Sequence, residues 1–290
     1  MSQAIRGLSC NGRVRIFAIN TTQLIQELSK QDNTSPVASA ALGRSLSITA
    51  LIGLMKKNED QVFTTINGGG EIGTIHVHYM GNGKIRGYVD NPQVQTYIND
   101  QGKLDVSRAV GYGGFLTVKY RMGLKHDYVG STPLQSGEIS EDYTYYFASS
   151  EQTPSVVSAG VLVDTDGVSS AGAIIVQLMP DAVEEDILYI ESKLSAITNL
   201  SSKIKDDKDI TSFVTSTFED FELLETKDIE LDCTCSKEDM QAKIMTLTVE
   251  DLEEIKKEDN GLEAICPWCN TKYYFNEDDL DVIIDMKKGL

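Results

Sequence analysis

The sequence is poor in the residues that most enzymes recruit. Its 290 residues hold three histidines, His76, His78 and His126, and a single tryptophan. Histidine-based catalysis therefore has few places to reside, and no Ser-His-Asp, Cys-His or paired-carboxylate constellation stands out. Arginine stops at Arg121, and every later cation is a lysine. An unbroken apolar run is also missing. The N-terminal "MSQAIRGLSCNGRVRIFAIN" carries Arg6, Arg13 and Arg15 where an export signal would need its apolar stretch. The most apolar segment, roughly residues 37 to 55, is interrupted by Arg44, Ser45, Ser47 and Thr49. That is too polar for a bilayer span and suits a buried helix. The expectation is a cytoplasmic protein with no membrane partner, in a compartment that keeps thiols reduced.

Charge divides the chain. The formal net charge is −18, yet residues 1 to 180 carry a net of −1 and residues 181 to 290 a net of −17. So acidic a tail repels phosphates, so nucleic acid is not an expected partner; its plainest use is a solvated helical surface.

At 290 residues the chain exceeds the usual size of one domain, so two or three domains are expected, and its local patterns mark three regions. Within residues 1 to 180, "NTSPVASAALGRSLSITALIGLMKK" opens on Ser35 and Pro36 and is apolar almost all round, which predicts a buried helix. "QVFTTIN", "TIHVHYM", "KIRGYVDN" and "GFLTVKYRM" are β-branched and aromatic runs separated by glycine turns, and "AGVLVDTDGVSSAGAIIVQLMP" predicts two strands around Asp166 and Gly167. The fold class expected is α+β, a sheet packed with helices. Residues 181 to 232 predict a helical connector with little core of its own, its order dependent on what packs against it. Residues 233 to 290 form a small domain with capping boxes at Thr248 with Asp251 and Asn276 with Asp279. So small a domain usually needs a staple.

Four of the five cysteines supply one. "LDCTCSKEDM" and "AICPWCNTKYYF" hold Cys233, Cys235, Cys266 and Cys269, two close pairs thirty residues apart. Zinc takes four thiolates tetrahedrally, and the expectation is one Zn2+ per chain on these four residues. The metal could simply hold the fold. Thiolates are also the oxidisable form, and where metal binding is folding, losing the ligands to oxidation would unfold the domain and make it a redox switch.

Other motifs point less firmly. "GGGEIG" matches the glycine spacing of a phosphate loop, yet "TIHVHYM" after it alternates like a strand. His76 and His78 share one strand face without a third ligand. Cys-Pro-Trp-Cys alone would suit a thiol oxidoreductase, but it lies in a short acidic tail beside a second cysteine pair. A constitutive zinc-ribbon adaptor is the other alternative to a switch.

The "CTC" and "CPWC" pattern, the preceding α+β region with "IRGYVDNP" and "SEQTPS", and the acidic connector resemble the redox-regulated heat-shock chaperones of bacteria, the 33 kDa chaperonin family. The resemblance runs over essentially the whole chain. It implies an ATP-independent holdase and not an enzyme, inactive when reduced and zinc-bound, and activated in the stress response by oxidants together with unfolding conditions. It also implies that activation pairs Cys233 with Cys235 and Cys266 with Cys269, and that residues 181 to 232 lose order and uncover a surface for unfolded or partly unfolded clients. A homodimer is expected in the oxidised form. Cys10 lies outside the pattern and has no role assigned.

Overall fold

Why one half of the sheet reads as alternating runs and the other as near-continuous apolar runs is explained by what covers each face. A computed structural model describes residues 2–198, 200–206 and 209–289. The chain divides into two units, one ending at Asp232 and one starting at Cys233. The first contains β1 (Ser2–Ser9), β2 (Val14–Asn20), α1 (Thr22–Gln31), α2 (Pro36–Leu54), β3 (Gln61–Asn67), β4 (Thr74–Tyr79), β5 (Lys84–Val89), α3 (Val106–Val110), β6 (Phe115–Arg121), β7 (Tyr128–Pro133), α4 (Ser140–Ser149), β8 (Ser155–Asp164), β9 (Gly167–Leu178), α5 (Glu184–Thr198), α6 (Leu200–Asp206), α7 (Ile210–Thr217) and β10 (Glu222–Leu231). The second contains α8 (Lys237–Ile244), α9 (Val249–Asp259), β11 (Gly261–Ile265), β12 (Lys272–Asn276) and α10 (Glu277–Lys288).

Ten strands form one sheet in the order β7-β6-β3-β4-β5-β10-β1-β2-β9-β8. Neighbours are antiparallel except β5 and β10, whose parallel pairing joins Lys84 to Glu230 and Ile85 to Leu231. The sheet is thus two antiparallel halves joined by a short parallel seam.

Helix α2 packs against strands of both halves. Its Ser35 hydroxyl accepts from the Ala38 amide, Pro36 occupies the first turn, and every residue except Pro36 and Arg44 is buried. The polar residues that interrupt its apolar run find partners inside: Ser47 donates to the Gly43 carbonyl at 2.7 Å, and the Thr49 hydroxyl lies 3.1 Å from that of Thr64. Although α2 has the length and hydropathy of a bilayer span, 94% of its most apolar window is buried within the protein. A Cβ on Gly53 would stand 2.5 Å from the ring of Tyr79, so glycine is what lets α2 approach β4 this closely.

In the half built from β3 to β6 the strands alternate, with Val62, Thr64 and Ile66 buried and Phe63 and Thr65 partly exposed. In the other half both faces are covered. Phe17, Ile19, Ala173 and Ile175 face the core around α2, while Ile5, Val14, Ile16, Ala18, Ile174 and Val176 form a second core with Ile190, Ile197, Leu200, Ile204, Ile210, Phe213, Val214 and Phe218. The connector helices α5 to α7 therefore lie over an apolar sheet face, and two-sided burial is the reason "VRIFAI" and "AGAIIV" do not alternate.

The connector differs from the helical reading in one respect. Residues 222–231 are a strand, not a helix, and they occupy the place between β5 and β1. "ELLETKDIEL" buries Ile229 and exposes most of its other side chains, so its conformation is set by the unpaired backbone edges of β1 and β5 on either side.

Candidate metal centre

The second unit has little to fold around. Its buried side chains are Met240, Ile244, Leu252, Cys266, Phe275, Leu280, Ile283 and Ile284. Ion pairs such as Lys237 with Asp279 at 2.8 Å and Lys272 with Glu263 at 2.9 Å lie at the surface and contribute little. Capping boxes open α8 at Ser236 with Asp239, α9 at Thr248 with Asp251 and α10 at Asn276 with Asp279.

Those local signals place the cysteines. Cys233 and Cys235 lie just before the cap of α8, and Cys266 and Cys269 lie in the turn between β11 and β12. In that turn the Cys266 amide donates to the Thr271 carbonyl and the Asn270 amide to the Cys266 carbonyl, both at 2.9 Å, with Asn270 left-handed at φ 56°. The sequence reading predicted all four as one set. All four sulfur atoms lie within 4.8 Å of one another, with Cys233 Sγ 3.8 Å from Cys266 Sγ and Cys235 Sγ 3.4 Å from Cys269 Sγ. Bonds of about 2.3 Å from a tetrahedral zinc would set sulfurs about 3.8 Å apart, so the donor set and its spacing fit such an ion. Among the described residues, no other group of three or more histidine, cysteine, aspartate or glutamate side chains comes together in this way.

Cys266 and Cys269 sit in opposite electrostatic settings. Burial pushes the Cys266 thiol up to about 12. Burial acts in the same direction on Cys269, but the Thr271 hydroxyl and amide, with the neighbouring thiols, outweigh it and bring that thiol down to about 7. Thr271 Oγ1 lies 3.2 Å from Cys269 Sγ, and the Tyr273 hydroxyl donates to the Cys235 carbonyl at 2.9 Å and lies 3.1 Å from Cys235 Sγ. Sequence reasoning missed both partners; the available signal was only their closeness to the motif, in "CPWCNTKYY".

The weaker motifs resolve otherwise. The "GGGEIG" loop packs backbone to backbone, and a Cβ on Gly68 would stand 2.2 Å from the Gly111 carbonyl oxygen. Its Gly70 and Ile72 amides donate to the Val110 and Ala109 carbonyls, so they are not turned toward a phosphate. His76 stacks on Tyr88 at 4.5 Å and His78 on Phe63 at 3.8 Å, and burial lowers His78 to about 3, keeping it neutral. Cys10 is buried in the first unit, between β1 and β2. The Cys-Pro-Trp-Cys turn joins two antiparallel strands and does not open a helix after a parallel strand, which is not the setting of a thiol oxidoreductase.

A family model described as Hsp33 protein matches residues 2–276. The 33 kDa chaperonin of Oceanobacillus iheyensis is 43% identical over 280 residues, covering 96% of this chain and 97% of that one. The 33 kDa chaperonin of Bacillus subtilis is 39% identical, with 98% and 99% covered. The crystal structure of the 33 kDa chaperonin from Thermotoga maritima superposes with a TM-score of 0.91 at 32% identity, over 99% of each chain. With a match of that length and relatives this similar from end to end, the chain belongs to the Hsp33 family of chaperones.

Proposed function

We propose that this chaperone is a redox-regulated, ATP-independent holdase of the cytoplasm that captures unfolding proteins under oxidative stress and has no catalytic turnover. The reading assigns residues 1 to 180 to the client-binding core, 181 to 232 to the connector and 233 to 290 to the switch domain. Cys233, Cys235, Cys266 and Cys269 hold one Zn2+ per chain in the reduced form, as thiolates. When bound, the ion ties the two cysteine pairs together and makes up for the small core beside them. The observation that carries the reading is the convergence of these four sulfurs within 4.8 Å.

On oxidation Cys233 pairs with Cys235 and Cys266 with Cys269. Each thiolate pair gives up two electrons as its sulfur–sulfur bond forms, one peroxide takes up those electrons with two protons from solvent and leaves as two waters, and the Zn2+ is released. Disulfide sulfurs no longer serve as ligands, so the small domain loses its staple. The connector then loses its anchor, and the face of Ile5, Val14, Ile16, Ala18, Ile174 and Val176 becomes open to exposed apolar segments of clients. The net charge of −17 in residues 181 to 290 keeps the opened chain soluble. The oxidised form is a homodimer.

The deciding experiment is light scattering from a heat-labile client, with the chaperone either reduced or first treated with peroxide. Suppression of aggregation by the oxidised form alone is expected. Equal suppression by both forms, or none by either, would overturn the reading.

A further inference from the structure

Ahead of β10, the helices of the connector are tied by hydrogen bonds at both ends, and both ties belong to one turn. Between β1 and β2 the residues Cys10, Asn11 and Gly12 all take left-handed conformations, at φ 52°, 55° and 88°. Glycine and asparagine take that conformation readily, whereas Cys10 does so against its preference, so its backbone needs support from its surroundings. The connector supplies that support. At its start, Asp186 in the first turn of α5 receives two hydrogen bonds from Arg13, Nε at 2.6 Å and a terminal nitrogen at 2.8 Å, and its side chain is 5% exposed. At its far end, after α7, Asp220 accepts from the Ser9 hydroxyl at 2.5 Å and the Cys10 amide at 2.6 Å. The two ends also touch each other: the Tyr189 ring meets Phe218 edge-on at 6.4 Å, and its hydroxyl accepts from the Glu219 amide at 3.3 Å. The connector thus leaves the turn, crosses the apolar sheet face and returns to the same turn.

We propose that the turn from Ser9 to Arg13 is a two-point clasp, with Asp186 and Asp220 as positioning residues, and that it sets how readily the whole connector opens. This rests on the reading of the connector as the element that opens. The helices run from β9 to β10 over one shared core, so releasing either tie loosens that core as a whole and α5, α6 and α7 lose protection together. The four cysteines act on the segment that follows β10, whereas the clasp acts before it. A weakened clasp should therefore lower the threshold of opening without changing metal retention.

The test is amide hydrogen exchange on the full-length, reduced, zinc-loaded chain and its Asp186→Asn and Asp220→Asn variants. Each charge-assisted clasp is expected to hold opening back about tenfold. Either variant should therefore speed exchange about tenfold across all of 184 to 217, including positions far from the substitution, while amides of β3, β4 and β6 keep their rates and one zinc per chain is retained. Asp186 also accepts from the Val183 amide at 2.9 Å, so a purely local role would loosen only the first turn of α5. Local loosening, or no change, would overturn the proposal. Should a variant fail to fold, shown by lost protection in β3 and β4, Ser9→Ala removes a single hydroxyl donor; it should give the same distribution of faster exchange at smaller amplitude, and unchanged exchange would overturn the proposal. Metal content and exchange are read without any client, so the clasp can fail while the holdase reading stands, and the reverse.

Discussion

Truncating Phe218 to alanine should open the connector of the reduced, zinc-loaded protein. Phe218 is fully buried, seated in the core shared by the connector and β1, β2 and β9, with its ring against Tyr189 at 6.4 Å. Removing a buried phenylalanine ring costs about 3–5 kcal/mol, and the lost aromatic pair is worth about 0.5–1.5 kcal/mol, part of which the first figure already contains. A working value of about 4 kcal/mol shifts the closed-to-open equilibrium roughly a thousandfold, since about 1.4 kcal/mol is a factor of ten. The sheet beneath is also held from its other face, where Phe17, Ile19, Ala173 and Ile175 pack in the core around α2. The loss should therefore fall on the connector. Exchange should rise across 184 to 217, and the reduced variant should suppress aggregation of a heat-labile client without peroxide. If the variant kept wild-type protection there and still required peroxide, the connector would not be what restrains activity.

Replacing Cys266 by Ser should lower zinc per chain well below one in native mass spectrometry and loosen residues from 233 onward, because the eight buried side chains there are too few to fold alone; a zinc-free yet fully protected domain would contradict this. After peroxide at mildly raised temperature, peptide mapping should give Cys233 with Cys235 and Cys266 with Cys269. In the reduced geometry all four sulfurs are within 4.8 Å, so distance does not select the pairs, and the short loops do once the domain loosens; mainly cross-linked pairs would refute that. Gly53→Ala should lower the thermal midpoint of the first unit without altering zinc content, at a cost of about 1–3 kcal/mol, since its Cβ would fall 2.5 Å from the Tyr79 ring. An unchanged midpoint would show that α2 can move away from β4.

Where a structural signal acts over a few residues, the sequence carried it. Ser35 and Pro36 start α2, glycine turns separate β3, β4 and β5, and Thr248 with Asp251 and Asn276 with Asp279 cap α9 and α10. Each is a rule of backbone sterics or nearby hydrogen bonding, complete within one turn or hairpin. The four-cysteine set was legible for a similar reason: Cys-x-Cys and Cys-x-x-Cys each place two sulfurs close together, whatever the rest of the chain does.

What spacing does not encode is which distant segment will lie alongside. "ELLETKDIEL" has no strong period and became β10 because β1 and β5 left open edges on either side, one near the N-terminus and the other well over a hundred residues before it. Likewise "VRIFAI" states that both faces of β2 are apolar but not that α5 to α7 cover one of them, since hydrophobic burial is non-directional and many partners would satisfy it. The hold of Asp186 and Asp220 on the turn at Cys10 was out of reach for the same reason. Those acids read as solvated surface until folding brings them to the backbone amide and guanidinium that single them out.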